Sequence, residues 1–281
     1  NYYCARNEAA APMMAEAYAR GKQSLGAVCV TSGPGSTNAV PGLAEAWADS
    51  APIIVISGQV QRSHTTRVAN IPGLRTFGTA EIDIVSIVEP LTKYAVMVED
   101  PESIRYHLEK AVYLATSGRP GPVWLDLPQD IQDSLIDPES QKGFDPPDEG
   151  AEYDSVHEAV ARVMELLETC ERPLLFGGHG IHQAGAKSGL MDLLDTSGIP
   201  IFLSRLGHDL IPFSHPQNLG MAGLKGAKYS WAIMEAADLV IALGCRMSVQ
   251  TIGHDQDPFP DDAKVVMVDI DEAELKKPGL A

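Results

Sequence analysis

The sequence predicts an α/β protein with two doubly wound parallel sheets. Short, continuously apolar segments recur between helical ones, as strands buried on both faces require. A proline-rich acidic stretch splits the alternation into two series. The chain of 281 residues, with 44% hydrophobic and 21% charged positions, is long enough for two cores of ordinary size.

In the first series, Gly26–Thr31 is a strand closed by glycines. Residues Thr37–Asp49 form a helix with small faces at Ala39, Ala44, Ala46 and Ala48. Pro52–Gly58 is a second buried strand. Pro101–Thr116 is an amphipathic helix, with Asp100 as its cap, Pro101 at its first position and Gly118 as its stop. Pro122–Leu127 is a third strand.

From Asp133 to Asp154, Asp-Pro and Pro-Pro steps crowd among acidic residues, as in an exposed connector. The predicted division is residues 1–132, a linker at 133–153, and residues 154–281. In the second series, helices at Ser155–Thr169, Ala186–Thr196 and Lys228–Ala236 alternate with strands at Arg172–Gly178, Ile199–Leu203, Asp238–Leu243 and Lys264–Asp271. This spacing suggests a six-stranded sheet, incomplete at its end. The chain lacks an initial Met and opens in mid-domain, so a fragment is expected.

The formal net charge of −17 argues against nucleic acid and anionic membranes as partners. No apolar run is long enough for a membrane span and no signal-peptide pattern occurs. The four cysteines form no C-x-x-C pair, and Cys29 and Cys245 read as small core residues. A reducing cytoplasm fits this usage.

Glu8 stands alone among small and apolar neighbours, just before a strand–glycine loop–helix unit. Desolvation can tune such a carboxylate to hold or give a proton at neutral pH. A plain helix-start charge, with Asn7 as cap, is the reading of Glu8 that sequence physics alone favours. Pro12 then falls beyond the free first turn, so the regular helix is expected near Pro12, with Glu8 on an irregular lead-in.

Gly33-Pro34-Gly35 follows a strand and opens a helix, whose free N–H groups suit a phosphate or polar ring; a tight turn explains it as well. Gly178 and Gly180 lack the third glycine of a dinucleotide fingerprint, and His179 and His182 have no spaced partners for a metal. Asp269 and Asp271 end a strand, where carboxylates take sugar hydroxyls or cap the next helix. Serine-elbow, Walker and H-E-x-x-H motifs are absent.

Several ordered motifs carry a resemblance across nearly the whole chain. They are N-E-A…M-A-E-A-Y-A-R at 7–20, T-S-G-P-G-S-T-N at 31–38, S-G-Q-V at 57–60, S-G-R-P-G-P-V at 117–123, L-G-M-A-G-L-K-G at 219–226, D-L-V-I-A-L-G-C-R at 238–246 and V-D-I-D at 268–271. Together they resemble the thiamine-diphosphate enzymes of the acetolactate synthase type. The resemblance implies a pyrimidine-binding domain at 1–132, lacking its first strand and helix, and a central domain at 154–281 that binds FAD in acetolactate synthase. It implies a further domain with a G-D-G motif for diphosphate and Mg²⁺; no G-D-G occurs here, so no metal ligand is assigned in this segment.

By the same resemblance, Glu8 hydrogen-bonds the aminopyrimidine of thiamine diphosphate, with Pro34 and Asn38 beside the ring. Arg119, Lys225, Gly226, Arg246 and Asp269 are the positions carried over for FAD. The implied reaction removes CO₂ from a 2-oxo acid such as pyruvate and joins the acyl unit to a second carbonyl, in a homodimer or homotetramer. The family's histidine before the glutamate is Asn7 here, its Phe-Gln pair is Thr79-Ala80, its P-K-D lysine is Gln129, and its acceptor-selecting arginine falls at Gln250. These departures open the acceptor to an aldehyde or keto sugar. Other readings are a non-catalytic FAD or nucleotide module and an assembly subunit.

Overall fold

The structure is a computed structural model, and it describes residues 1–147, 153–253 and 263–277. The chain divides into two compact units, Asn1–Asp148 and Glu149–Ala281.

In the first unit, α1 (Ala10–Lys22) leads into β1 (Gly26–Val30), then α2 (Pro34–Asn38), α3 (Val40–Ala48) and β2 (Ile53–Gln59). Two short helices, α4 (Thr66–Ala69) and α5 (Ile84–Val88), precede β3 (Tyr94–Met97). Then come α6 (Ile104–Thr116), β4 (Val123–Pro128) and α7 (Gln129–Gln132). The strands form one sheet in the order β1-β2-β4-β3, and every neighbouring pair is parallel. Alternate residues serve opposite faces. Ile53, Val55 and Trp124 join one buried cluster with Leu43 and Val88, while Ile54, Val123 and Leu125 join another with Ala111 and Ala115.

Four details differ from the sequence-based expectation. The helix expected at Thr37–Asp49 is two helices, α2 and α3, because Pro41 has no N–H to continue the first ladder. The helix expected from Pro101 starts with a 3₁₀ turn at Pro101–Ser103, capped by Asp100, whose carboxylate accepts from the Glu102 N–H. Strand β3 gave little signal, being an edge strand only half-buried over most of its length. Cys29 is exposed rather than in the core, because β1 lies at a sheet edge and leaves Ala27 and Cys29 uncovered. Cys245 is buried.

The stretch after α7, expected to be an exposed connector, is largely exposed over residues 134–140. It then lies along α6: the Phe144 N–H donates to Glu109 at 2.7 Å, and buried Gln141 accepts from the Arg105 N–H. Residues 148–152 of that stretch lie outside the described residues.

In the second unit, α8 (Tyr153–Thr169) precedes β5 (Pro173–Gly177), α9 (Gly180–Gln183), α10 (Lys187–Ser197), β6 (Ile201–Leu203) and β7 (Asn218–Met221). Next are α11 (Tyr229–Ala236), β8 (Leu239–Leu243), α12 (Val249–Ile252), β9 (Lys264–Val268) and α13 (Glu272–Leu275). The all-parallel order β7-β6-β5-β8-β9 is a doubly wound sheet that reverses direction between β5 and β8. Five strands stand among the described residues where six were expected. β7 escaped notice because Asn218 and Gly220 are poor strand formers. Phe176 and Phe202 pack at 5.7 Å in one face of the core, and Leu175, Leu194 and Ile201 fill the other.

Candidate functional site

Helix α1 starts at Ala10, whose N–H donates to Asn7 Oδ1 at 2.9 Å. Pro12 is therefore its third residue, where a helical N–H has no partner anyway. The turn before the helix presents Glu8, half-buried. Strand β1 delivers the chain to the turn at Gly33, which has φ +61° and a neighbour so close that a Cβ would lie 1.9 Å from the Ala80 carbonyl oxygen. Glycine is required there on both counts. Ser36 Oγ, fully buried, donates to the Thr31 carbonyl at 2.6 Å and closes the turn.

This geometry brings Asn38 to Glu8: Asn38 Nδ2 donates to Glu8 Oε2 at 2.9 Å. A Cβ on Gly35 would lie 2.5 Å from Thr31 Cγ2 and 3.6 Å from Glu8 Oε1, so the glycine lets Thr31 and Glu8 close on the turn. The expectation that desolvation raises the Glu8 pKa is corrected. The Asn38 hydrogen bond holds it below the ordinary carboxylate range, and burial opposes this only weakly. Pro34, the first residue of α2, is exposed on the same turn.

Sequence reasoning missed a second group in this unit. Asp126 on β4, 1% exposed, accepts from Ser57 Oγ at 2.5 Å and Gln59 Nε2 at 3.0 Å. Trp124 Nε1 donates to Ser57 Oγ at 2.8 Å. Burial pushes the Asp126 carboxyl up to about 6 against the pull of these two donors. The signal was present: Ser57, Gln59 and Asp126 are polar residues in otherwise apolar strands.

Arg119 half-buries in the first unit, and its Nε donates to Ser50 Oγ at 2.8 Å. The other positions carried over for FAD lie in the second unit, on loops leaving the carboxyl ends of β7, β8 and β9. Lys225 is exposed after β7, and Gly226 packs so closely on Met221 that a Cβ would fall 2.2 Å from its carbonyl oxygen. Arg246 is exposed after β8. The loop after β7 meets α12, where the Leu224 N–H donates to the Gln250 carbonyl at 2.9 Å. Asp269 is half-buried and accepts from the Asp271 N–H, while Asp271 caps α13 through the Ala273 N–H.

The glycine loop after β5 has another use. The Gly178 N–H donates to the Leu243 carbonyl and the Gly180 N–H to the Gly244 carbonyl. These amides join two loops. His182 Nε2 sits 2.9 Å from Asp209 Oδ1; burial pushes the Asp209 carboxyl up, and the hydrogen bond with His182 outweighs it and holds the carboxyl low. Among the described residues, no three His, Cys, Asp or Glu side chains converge as a metal site. No helix there is long and apolar enough to cross a membrane.

Two all-parallel units, one with an oriented carboxylate beside a glycine turn at the carboxyl end of a strand, make this an α/β protein of two parallel-sheet domains. Comparison with known proteins specifies the kind. Residues 1–87 match the family model of the thiamine pyrophosphate enzyme N-terminal TPP binding domain, and residues 160–279 match that of the thiamine pyrophosphate enzyme central domain. The chain is 35% identical, over 97% of its length and 45% of the relative's, to a probable acetolactate synthase large subunit of Methanocaldococcus jannaschii. It is 36% identical over 98% of its length and 47% of the relative's to the acetolactate synthase of Arthrospira platensis. Against the acetolactate synthase isozyme 3 large subunit of Escherichia coli the figures are 35%, 97% and 46%. The chain belongs to the thiamine pyrophosphate enzymes, and it spans about half the length of the curated relatives it matches.

Proposed function

We propose that this chain supplies the pyrimidine-binding half of a thiamine-diphosphate-dependent carboligase that decarboxylates a 2-oxo acid, pyruvate being the expected donor. The carrying observation is the Glu8 carboxylate, oriented by Asn38 beside the Gly33–Gly35 turn. Glu8 Oε1, the oxygen that Asn38 does not take, is placed to accept from or share a proton with a ring nitrogen. When bound, thiamine diphosphate supplies the carbon that adds to the 2-oxo acid and holds the electrons left as CO₂ departs.

The remaining work of this chain is to orient the ring and exclude water. Glu8 is only half-buried in one chain, and Met13, Met14 and Tyr18 on the following helix are exposed. A partner subunit covering them would desolvate Glu8 and raise its proton affinity toward neutrality. This supports a homodimer or homotetramer. The diphosphate and Mg²⁺ are assigned to a domain of the full-length protein outside these residues.

In the second unit, Lys225 and Arg246 place positive charge at the carboxyl end of the sheet, which would suit an FAD diphosphate; Gly226 would allow close approach, and Asp269 would accept from a ribityl hydroxyl. The resemblance carries Arg119 over for FAD as well, and within the first unit its Nε donates to Ser50 Oγ. The neutral Gln250 at the acceptor-selecting position favours an uncharged acceptor, an aldehyde or keto sugar, beside a second 2-oxo acid. Four free cysteines support a cytoplasmic location.

Glu8→Gln in the full-length protein tests the central claim. Proton exchange at C2 of bound thiamine diphosphate, followed by NMR, should slow by about 10²-fold or more. Unchanged exchange would reduce the chain to a non-catalytic module. Flavin absorbance of the purified protein checks the second cofactor, and a colourless protein without affinity for added FAD rejects it.

A further inference from the structure

We propose that Gln59 and Asp126 are positioning residues that hold the segment between β2 and α5 against the Gly33 turn, making that segment a fixed wall of the Glu8 site. This deepens the reading of Glu8 as the pyrimidine-holding residue and rests on it.

Residues 60–83 connect β2 to α5 with only a 3₁₀ turn at Arg62–His64 and the one-turn helix α4 between. Here the connection is pinned. Gln59 closes both of its ends with one side chain: Oε1 accepts from the Val60 N–H at 3.0 Å and Nε2 donates to the Ile82 carbonyl at 3.0 Å. Within it, Glu81, 2% exposed, accepts from the Thr66 N–H, Thr66 Oγ1 and the Phe77 N–H at 3.0, 2.7 and 3.1 Å. The segment then meets the site at Ala80, which takes φ +59° to press its carbonyl against Gly33. Gly33 starts the helix whose last residue, Asn38, bonds Glu8.

Asp126 sets the orientation of Gln59. Its Oδ2 accepts from Gln59 Nε2, which leaves Gln59 Oε1 turned to Val60. A buried carboxylate weakens a fold relative to an apolar residue of similar size, so core stability does not account for Asp126. Orientation does, because an ionised carboxylate is acceptor-only and admits one arrangement of the Ser57 and Gln59 donors. The charged groups facing it are Asp83, which disfavours its charge, and Arg67, which favours it and pairs with Asp83 at 3.6 Å. A proton on Asp126 turns one acceptor into a donor aimed at Gln59 or Ser57, and the wall loosens. With the carboxyl near 6, this happens as pH falls through that value.

The test uses the full-length enzyme with Gln59→Met and Asp126→Asn. At fixed pH, amide hydrogen exchange at Thr66 and Phe77 should rise about tenfold in Gln59→Met, with α1 and α3 amides unchanged. For Asp126→Asn, KM for pyruvate should rise about fivefold at pH 7.5 with kcat within about twofold, and the wild-type rise in KM below pH 6 should vanish. Unchanged exchange in Gln59→Met, or an intact acid limb in Asp126→Asn, overturns the proposal. The exchange measurement needs no turnover, so it stands apart from the Glu8→Gln result. If Asp126→Asn does not fold, Gln59→Met still decides.

Discussion

Asn38 Nδ2 donates to Glu8 Oε2 across 2.9 Å, joining the end of α2 to the turn before α1. A neutral amide donor favours the charged carboxylate, so it holds the Glu8 pKa down. Removing it in Asn38→Ala should raise that pKa, read from the carboxyl ¹³C shift during titration. A depressed folded pKa gives stability that is present above the ordinary carboxylate range and lost as pH falls through the folded value. Asn38→Ala should therefore flatten the acid limb of the stability curve, and an unmoved Glu8 resonance would mean the bond does not persist in solution.

Gly33 and Gly73 both have positive φ, but only Gly33 has a neighbour in the way. Gly73→Ala should cost about 1 kcal/mol, the penalty for a left-handed side chain alone. Gly33→Ala adds a clash with the Ala80 carbonyl and should cost roughly 3 kcal/mol or more. Urea midpoints of the two variants check the difference. Equal losses would show that the 60–83 segment yields freely.

Glu16 on α1 is 4% exposed, and its Oε2 has no hydrogen-bond partner among the described residues. Burial, then Asp49 and Glu45, push its carboxyl up to about 7, while Arg20 at 3.6 Å pulls it back. A folded pKa above the unfolded one means the native state binds the extra proton, so stability falls as pH rises from the ordinary range to about 7. Glu16→Gln should then be neutral at pH 4 and stabilising at pH 8, by at most about 3 kcal/mol. Denaturation at the two pH values measures it, and an equal effect at both would exclude the titration.

In the second unit, a Cβ on Gly178 would lie 1.9 Å from the Gly244 carbonyl oxygen. Gly178→Ala should break the Gly180–Gly244 loop contact and cost roughly 3 kcal/mol. Its unfolding midpoint, compared with that of Gly189→Ala on open helix surface, gives the answer. The control should gain up to about 1 kcal/mol, as Gly→Ala inside a helix does, and an unmoved midpoint in Gly178→Ala would show that the two loops part easily.

Fold class, most strands and most helices were legible from composition and period, because burial on both faces leaves unbroken apolar runs such as Ile53–Ile56. Glu8 was singled out by position, and Asp100 and Asp271 by capping chemistry. Strands β3 and β7 were not legible, since both are edge strands only half-buried over most of their length, and β7 carries Asn218 and Gly220. The direction of the Glu8 shift was not legible either. It depends on Asn38, thirty positions away, and on how far the turn stands out in solvent.

The linear order of residues carried the alternation of strand and helix, because side-chain period and backbone capping act over a few neighbours. It also placed the acid beside a glycine turn. Which partners that acid meets, why Gly33 has to be glycine, and how Ser57, Gln59 and Asp126 share their protons came from the folded chain. These are contacts between segments far apart in sequence, and their energies depend on distance and burial that local pattern does not encode.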